Sequence, residues 1–121
     1  SISTPVEVDA IDECLIIIPK KVFSTNQFSI IGPTWHLYGT DYALQMKLIN
    51  SPVLVFPSEL WHVSDGKSLN LNYFDAIQWL LKKYSKNYSV IYTFFGVWPS
   101  NPILLKFKCL YRKLRFYIKG V

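Results

Sequence analysis

The stretch Cys14-Leu-Ile-Ile-Ile18, stopped by Pro19, decides how this chain is read. It is a continuous apolar run rich in β-branched side chains and only as long as one strand. Such a run, without alternation, predicts a strand buried on both faces, the pattern of an α/β sheet. Cys14 within it reads as a small core hydrophobe. The acids before it, Glu7, Asp9, Asp12 and Glu13, belong to a polar lead-in, and Pro19-Lys-Lys21 turns the chain out.

Working outward, residues 24–36 are loop-like. Tyr38, Tyr42, Met46 and Ile49 fall at helical spacing. Thr40 is the expected N-cap, which puts Asp41 in the first turn, where a carboxylate suits the helix dipole. Asn50-Ser-Pro52 closes this helix, and Val53 to Phe56 predicts a second short buried strand ended by Pro57. A polar loop with Trp61, His62, Ser64 and Gly66 leads to a second helix over about 73–84. Its core stripe is Tyr73, Ile77, Leu80, Leu81 and Tyr84, with Asp75, Gln78, Lys82 and Lys83 facing away. Residues 88–98 fit strand or helix equally. Strand, helix, strand, helix argues for α/β architecture. Two strands are few for an open sheet, so the sheet is expected to be completed by strands outside these residues or by an oligomeric partner.

Half of the 121 residues are hydrophobic, enough for a core and against disorder. No stretch reaches the roughly 20 apolar residues that span a bilayer. The start lacks a secretory leader's basic and apolar regions. Two cysteines 95 positions apart make no metal-ligand spacing, and a reduced, cytoplasmic setting is expected. The net charge of +5 comes from the end of the chain: Lys106, Lys108, Arg112, Lys113, Arg115 and Lys119 lie there without an acid. Ile103, Phe107, Leu110, Leu114 and Tyr117 form a stripe among them. Residues 1–102 and 103–121 are accordingly expected to be a domain and a basic amphipathic tail. The tail suits an anionic membrane surface; a solvated helix packed on its own domain is the alternative. Nucleic acid is not expected, since no binding motif accompanies the charge.

Three sets of residues carry chemistry. In Trp35-His-Leu-Tyr-Gly-Thr-Asp-Tyr42 an acid opens a helix among aromatics, where it can accept a proton while Trp35, His36 and Tyr38 offer ring faces to sugars. The plainer reading is that Asp41 only serves the helix start. In Trp61-His62-Val-Ser64-Asp-Gly66, just beyond a strand, the His could bind a metal or a diphosphate, or be a hydrogen-bonded structural residue. Asp12 and Glu13 could contact hydroxyls, or be solvated acids. GxGxxG, a phosphate loop and GxSxG are all absent from the sequence.

The run from Val8 to about Trp98 resembles the C-terminal, acceptor-side part of bacterial family-2-like glycosyltransferases with the GT-A fold. Asp12 to Lys20, Trp35 to Tyr42, the Val53 to Pro57 segment and Trp61-His62 with Ser64 and Gly66 carry the resemblance. It implies a partial three-layer α/β fragment with an incomplete sheet. In that family a Glu-Asp pair opens a helix and its Asp deprotonates the acceptor hydroxyl. Thr40-Asp41 falls at that place, with Thr where Glu is usual. A His after the next strand often contacts the metal-bound diphosphate, and His62 falls there. The resemblance thus implies inverting transfer from a nucleotide-sugar to a glycan or lipid-linked acceptor, with Mg²⁺ or Mn²⁺ at the diphosphate, at the inner face of the membrane. Such enzymes also need a nucleotide-binding half with an Asp-x-Asp motif, and none occurs here: Asp9 and Asp12 are three apart. The 121 residues are therefore expected to be inactive alone. The reading from a different class is a non-catalytic module that binds a partner or a membrane.

Overall fold

A computed structural model describes residues 2–11, 14–31, 35–61, 63 and 70–119, side chains through 118. The chain mixes helix and strand. Its elements are β1 (Val6–Glu7), α1 (Lys20–Thr25), α2 (Tyr38–Leu48), β2 (Leu54–Val55), α3 (Asn72–Tyr84), β3 (Val90–Thr93), β4 (Gly96–Pro99) and α4 (Pro102–Lys119). They form two compact units, Ser1–Ile30 with Leu37–His62, and Ile31–His36 with Val63–Val121.

In the first unit, β1 pairs antiparallel with β2, Val6 opposite Val55 and Glu7 opposite Leu54, and Val8 N–H extends the pairing to the Val53 carbonyl at 2.9 Å. The core lies under α2: Tyr42, Ala43, Met46 and Val53 are buried, with Val8, Ile11, Ile18 and Val22 packed on them. α2 ends in a Schellman motif. Ser51 N–H bonds to the Met46 carbonyl and Asn50 N–H to that of Lys47, with Asn50 left-handed at φ 54°. Pro52 follows, where it cannot continue a helix. Lys47 also pairs with Asp9, and the Tyr42 hydroxyl donates to the Asn26 carbonyl at 2.9 Å, tying the end of α1 to α2.

Several expectations change here. Residues 14–18 are not a strand buried on both faces. They lack regular secondary structure: Leu15 and Ile17 are exposed, Ile18 touches the α2 core, and Cys14 is exposed rather than a core residue. A strand requires a neighbour for its backbone groups, and no ladder partner exists for this run among the described residues. The Val53 to Phe56 segment does make a strand, but Leu54, Val55 and Phe56 face outward. A short helix, α1, occupies part of the expected 24–36 loop. Ile49 lies past the end of α2 and is exposed. Thr40 is inside the helix rather than its N-cap, a position taken by Leu37.

In the second unit α3 lies as expected. Tyr73, Ile77, Leu80, Leu81 and Tyr84 are all buried, while Asp75, Gln78, Lys82 and Lys83 are exposed. Each apolar side chain so buried contributes about 1.5–3 kcal/mol. The ambiguous stretch after α3 is an antiparallel hairpin, with Ile91 opposite Trp98 and Thr93 opposite Gly96. Its turn, Phe94-Phe95, needs Gly96 at φ 117°, a conformation open to glycine. The Thr93 hydroxyl organises the hairpin. It donates to the Gly96 carbonyl at 3.1 Å and accepts from Trp98 Nε1 at 3.2 Å and from the Tyr73 hydroxyl at 2.8 Å.

α4 packs on β4 through Leu105 and Cys109, both buried. The burial that holds Cys109 also pushes its thiol pKa up, so it stays protonated. Basic side chains fasten this helix: Lys108 donates to the Val97 carbonyl and Arg112 to the Phe95 carbonyl at 3.3 Å. Lys113 lies 3.9 Å from Asp75 and over the Phe74 ring. No helix among the described residues is long and apolar enough to cross a membrane.

Candidate functional site

The start of α2 concentrates the unusual features of the first unit. Leu37, its N-cap, is buried yet left-handed at φ 65°, a conformation that costs a non-glycine residue about 1–3 kcal/mol and persists only where its surroundings enforce it. The first helical bond, Asp41 N–H to the Leu37 carbonyl, is 2.8 Å. The Asp41 side chain is enclosed, with 1% of the residue exposed. Burying a carboxylate is expensive unless its surroundings compensate. The Thr40 hydroxyl reaches across the unit and donates to the Ile11 carbonyl at 3.3 Å. This bond holds Ile11 beside the residue that precedes Asp41. Asp12 and Glu13 themselves lie outside the described residues, as do His62, Ser64 and Gly66. Tyr38 is half-buried against Phe28, rings 5.6 Å apart and edge-on. Trp61 is 98% exposed.

Trp35 and His36 belong to the second unit. His36 is buried and its Nε2 lies 3.1 Å from Asn70 Oδ1. That oxygen can only accept, so Nε2 carries the proton. Burial lowers the His36 pKa, against a smaller opposing effect of the Asn70 bond, and the ring is neutral near pH 7. Asn70 Oδ1 also accepts from Asn72 N–H at 2.9 Å, which ties the pair to the start of α3. Trp35 lies on His36 with centroids 4.1 Å apart and remains 54% exposed. Behind them the rings continue edge-on from His36 to Tyr73 at 5.6 Å and on to Phe95 at 5.1 Å. The rings form an aromatic column that ends in the exposed Trp35. The His36–Asn70 bond could not be read from sequence, because 34 residues separate the partners.

Among the described residues no group of three or more His, Cys, Asp or Glu is placed to hold a metal ion. No family model, curated protein or solved structure matches this chain.

Proposed function

We propose that this chain is the acceptor-side part of a glycosyltransferase of the GT-A kind, with Asp41 as the base that removes the acceptor proton. The observation that carries the reading is the enclosed Asp41 at the start of α2, where Thr40 is tied to Ile11. The Thr40 bond brings Ile11, far from Asp41 in sequence, to the same helix start. An acceptor hydroxyl held there would lose its proton to Asp41 as its oxygen attacks the anomeric carbon and the nucleoside diphosphate departs. With so little of Asp41 exposed, a local opening at the helix start must precede that step.

Asp12 and Glu13 would bind acceptor hydroxyls, and the exposed ring of Trp61 would take an apolar sugar face, with Tyr38 at the start of α2 supporting that reading. His62 would face the diphosphate. The donor half would come from polypeptide other than these 121 residues. In support, Leu15 and Ile17 are exposed on a run without a ladder partner among the described residues, and β2 leaves Leu54 and Val55 exposed. Those exposed apolar segments suit a sheet that other strands complete.

The test is transfer by the protein expressed from its natural reading frame, offered a panel of nucleotide-sugars and followed by release of nucleoside diphosphate. Release that depends on an added acceptor is expected, with none from residues 1–121 alone. Absence of release from every donor by the natural protein, or robust transfer by the isolated 121 residues, would overturn the reading.

A further inference from the structure

α4 packs inward through Leu105 and Cys109 and carries a second, exposed apolar face. Its basic side chains Lys108, Arg112 and Lys113 turn inward, onto hairpin carbonyls, Asp75 and the Phe74 ring. Its apolar stripe turns outward: Ile103, Phe107, Leu110, Leu114, Tyr117 and Ile118 are each 56–73% exposed. At about 100° per residue these six positions cover an arc of roughly 100° along a helix of about 27 Å. Leu104 and Tyr111, also exposed, widen it on one side. The arc is bordered by charge of one sign only. Exposed Lys106 stands at one edge and exposed Arg115 at the other, and α4 contains no acid at all.

Cations on both borders, with no acid, suit a helix lying in the plane of an anionic lipid surface: the stripe enters the acyl boundary while lysine and arginine stems extend to the headgroups on either side. We infer that α4 is a peripheral anchor that seats this chain on an anionic membrane surface, its axis parallel to the plane. The charge decides for this occupant over a second copy of the chain, whose equally basic α4 would repel it. The inference stands independently of the glycosyltransferase reading.

The experiment uses the natural protein with vesicles of phosphatidylcholine, with or without phosphatidylglycerol, and measures co-sedimentation. Binding is expected only with phosphatidylglycerol present, and it should weaken as salt is raised. Lys106→Gln with Arg115→Gln removes two cationic contacts and is expected to weaken binding roughly 30-fold, at about fivefold for each basic residue near the surface. Leu110→Gln with Leu114→Gln should weaken it by a similar or larger factor at all salt concentrations. Both pairs alter exposed positions, so an unchanged circular dichroism melt accompanies the loss. Absence of binding to anionic vesicles, equal binding to pure phosphatidylcholine, or an apolar face that instead drives concentration-dependent self-association would each overturn the inference.

Discussion

Two helices of this molecule open in the same way on paper and differently in space. α2 begins Leu37-Tyr-Gly-Thr-Asp41 and α3 begins Leu71-Asn-Tyr-Phe-Asp75, each with a leucine at the N-cap and an aspartate four residues on. The dipole argument applies equally to both acids. Asp75 meets it from the surface: its side chain is 73% exposed, with Lys113 at 3.9 Å. Asp41 is enclosed at 1%, behind a left-handed Leu37, while Leu71 keeps an ordinary helical φ of −62°. An exposed acid is enough to meet the helix dipole, as at Asp75. Asp41 differs from Asp75 in its burial and in the left-handed Leu37 that precedes its helix, and the role proposed for Asp41 would account for that difference.

The comparison can be broken at several positions. The widest gap in stability is expected between the residues just before each acid. Phe74 is buried among Tyr73 and Trp98, and Phe74→Ala should cost about 3–5 kcal/mol. Thr40 holds its place through one hydroxyl, and Thr40→Val should cost about 0.5–1.5 kcal/mol. Urea unfolding midpoints separate the two, and equal losses would mean that the α2 start is held by packing after all.

Next come the acids. Asp41→Ala strips a buried polar site and should cost about 1–3 kcal/mol, whereas Asp75→Ala removes a surface pair worth less than about 1 kcal/mol. Thermal melts of the two variants compare them directly. If Asp75→Ala proved the more damaging, Asp41 would have no special environment to explain.

The smallest effect is in pH. The folded His36 pKa is lowered, so its contribution to stability is full above the ordinary imidazole value of about 6.5. It is lost progressively as pH falls from there toward the folded value, because the unfolded chain takes up the proton first. His36→Phe should flatten stability between pH 7 and the onset of carboxylate titration, as followed by urea midpoints across pH. A wild-type protein with no slope in that window would contradict the buried, neutral ring.

What the sequence made legible follows from the kind of signal involved. α3 was readable residue by residue because its stripe is bounded by charges and everything apolar on it is buried. The stripe of α4 was equally readable, but periodicity reports the angle of a stripe and not what covers it; only the inward bonds of Lys108 and Arg112 show which side faces out. The Cys14 to Ile18 run has the composition of a buried strand, yet composition says nothing of whether a neighbour is present to pair with. The hairpin escaped notice because Phe94-Phe95 lacks the Asn-Gly or Asp-Gly signal of a two-residue turn. At the candidate site, Asp41 and its helix were visible in sequence. The Thr40–Ile11 bond and the His36–Asn70 pair were not, since each joins residues about 30 positions apart.

The central claim, that Asp41 is a base and Asp75 is not, is tested most directly by the transfer rates of Asp41→Asn and Asp75→Asn in the protein expressed from its natural reading frame. Both substitutions keep side-chain volume and remove one charge. The account predicts that Asp41→Asn lowers kcat by about 10²–10⁴ with its melt still cooperative, while Asp75→Asn stays within about twofold of wild type. Near wild-type transfer by Asp41→Asn, or an equal loss in both variants, would contradict it.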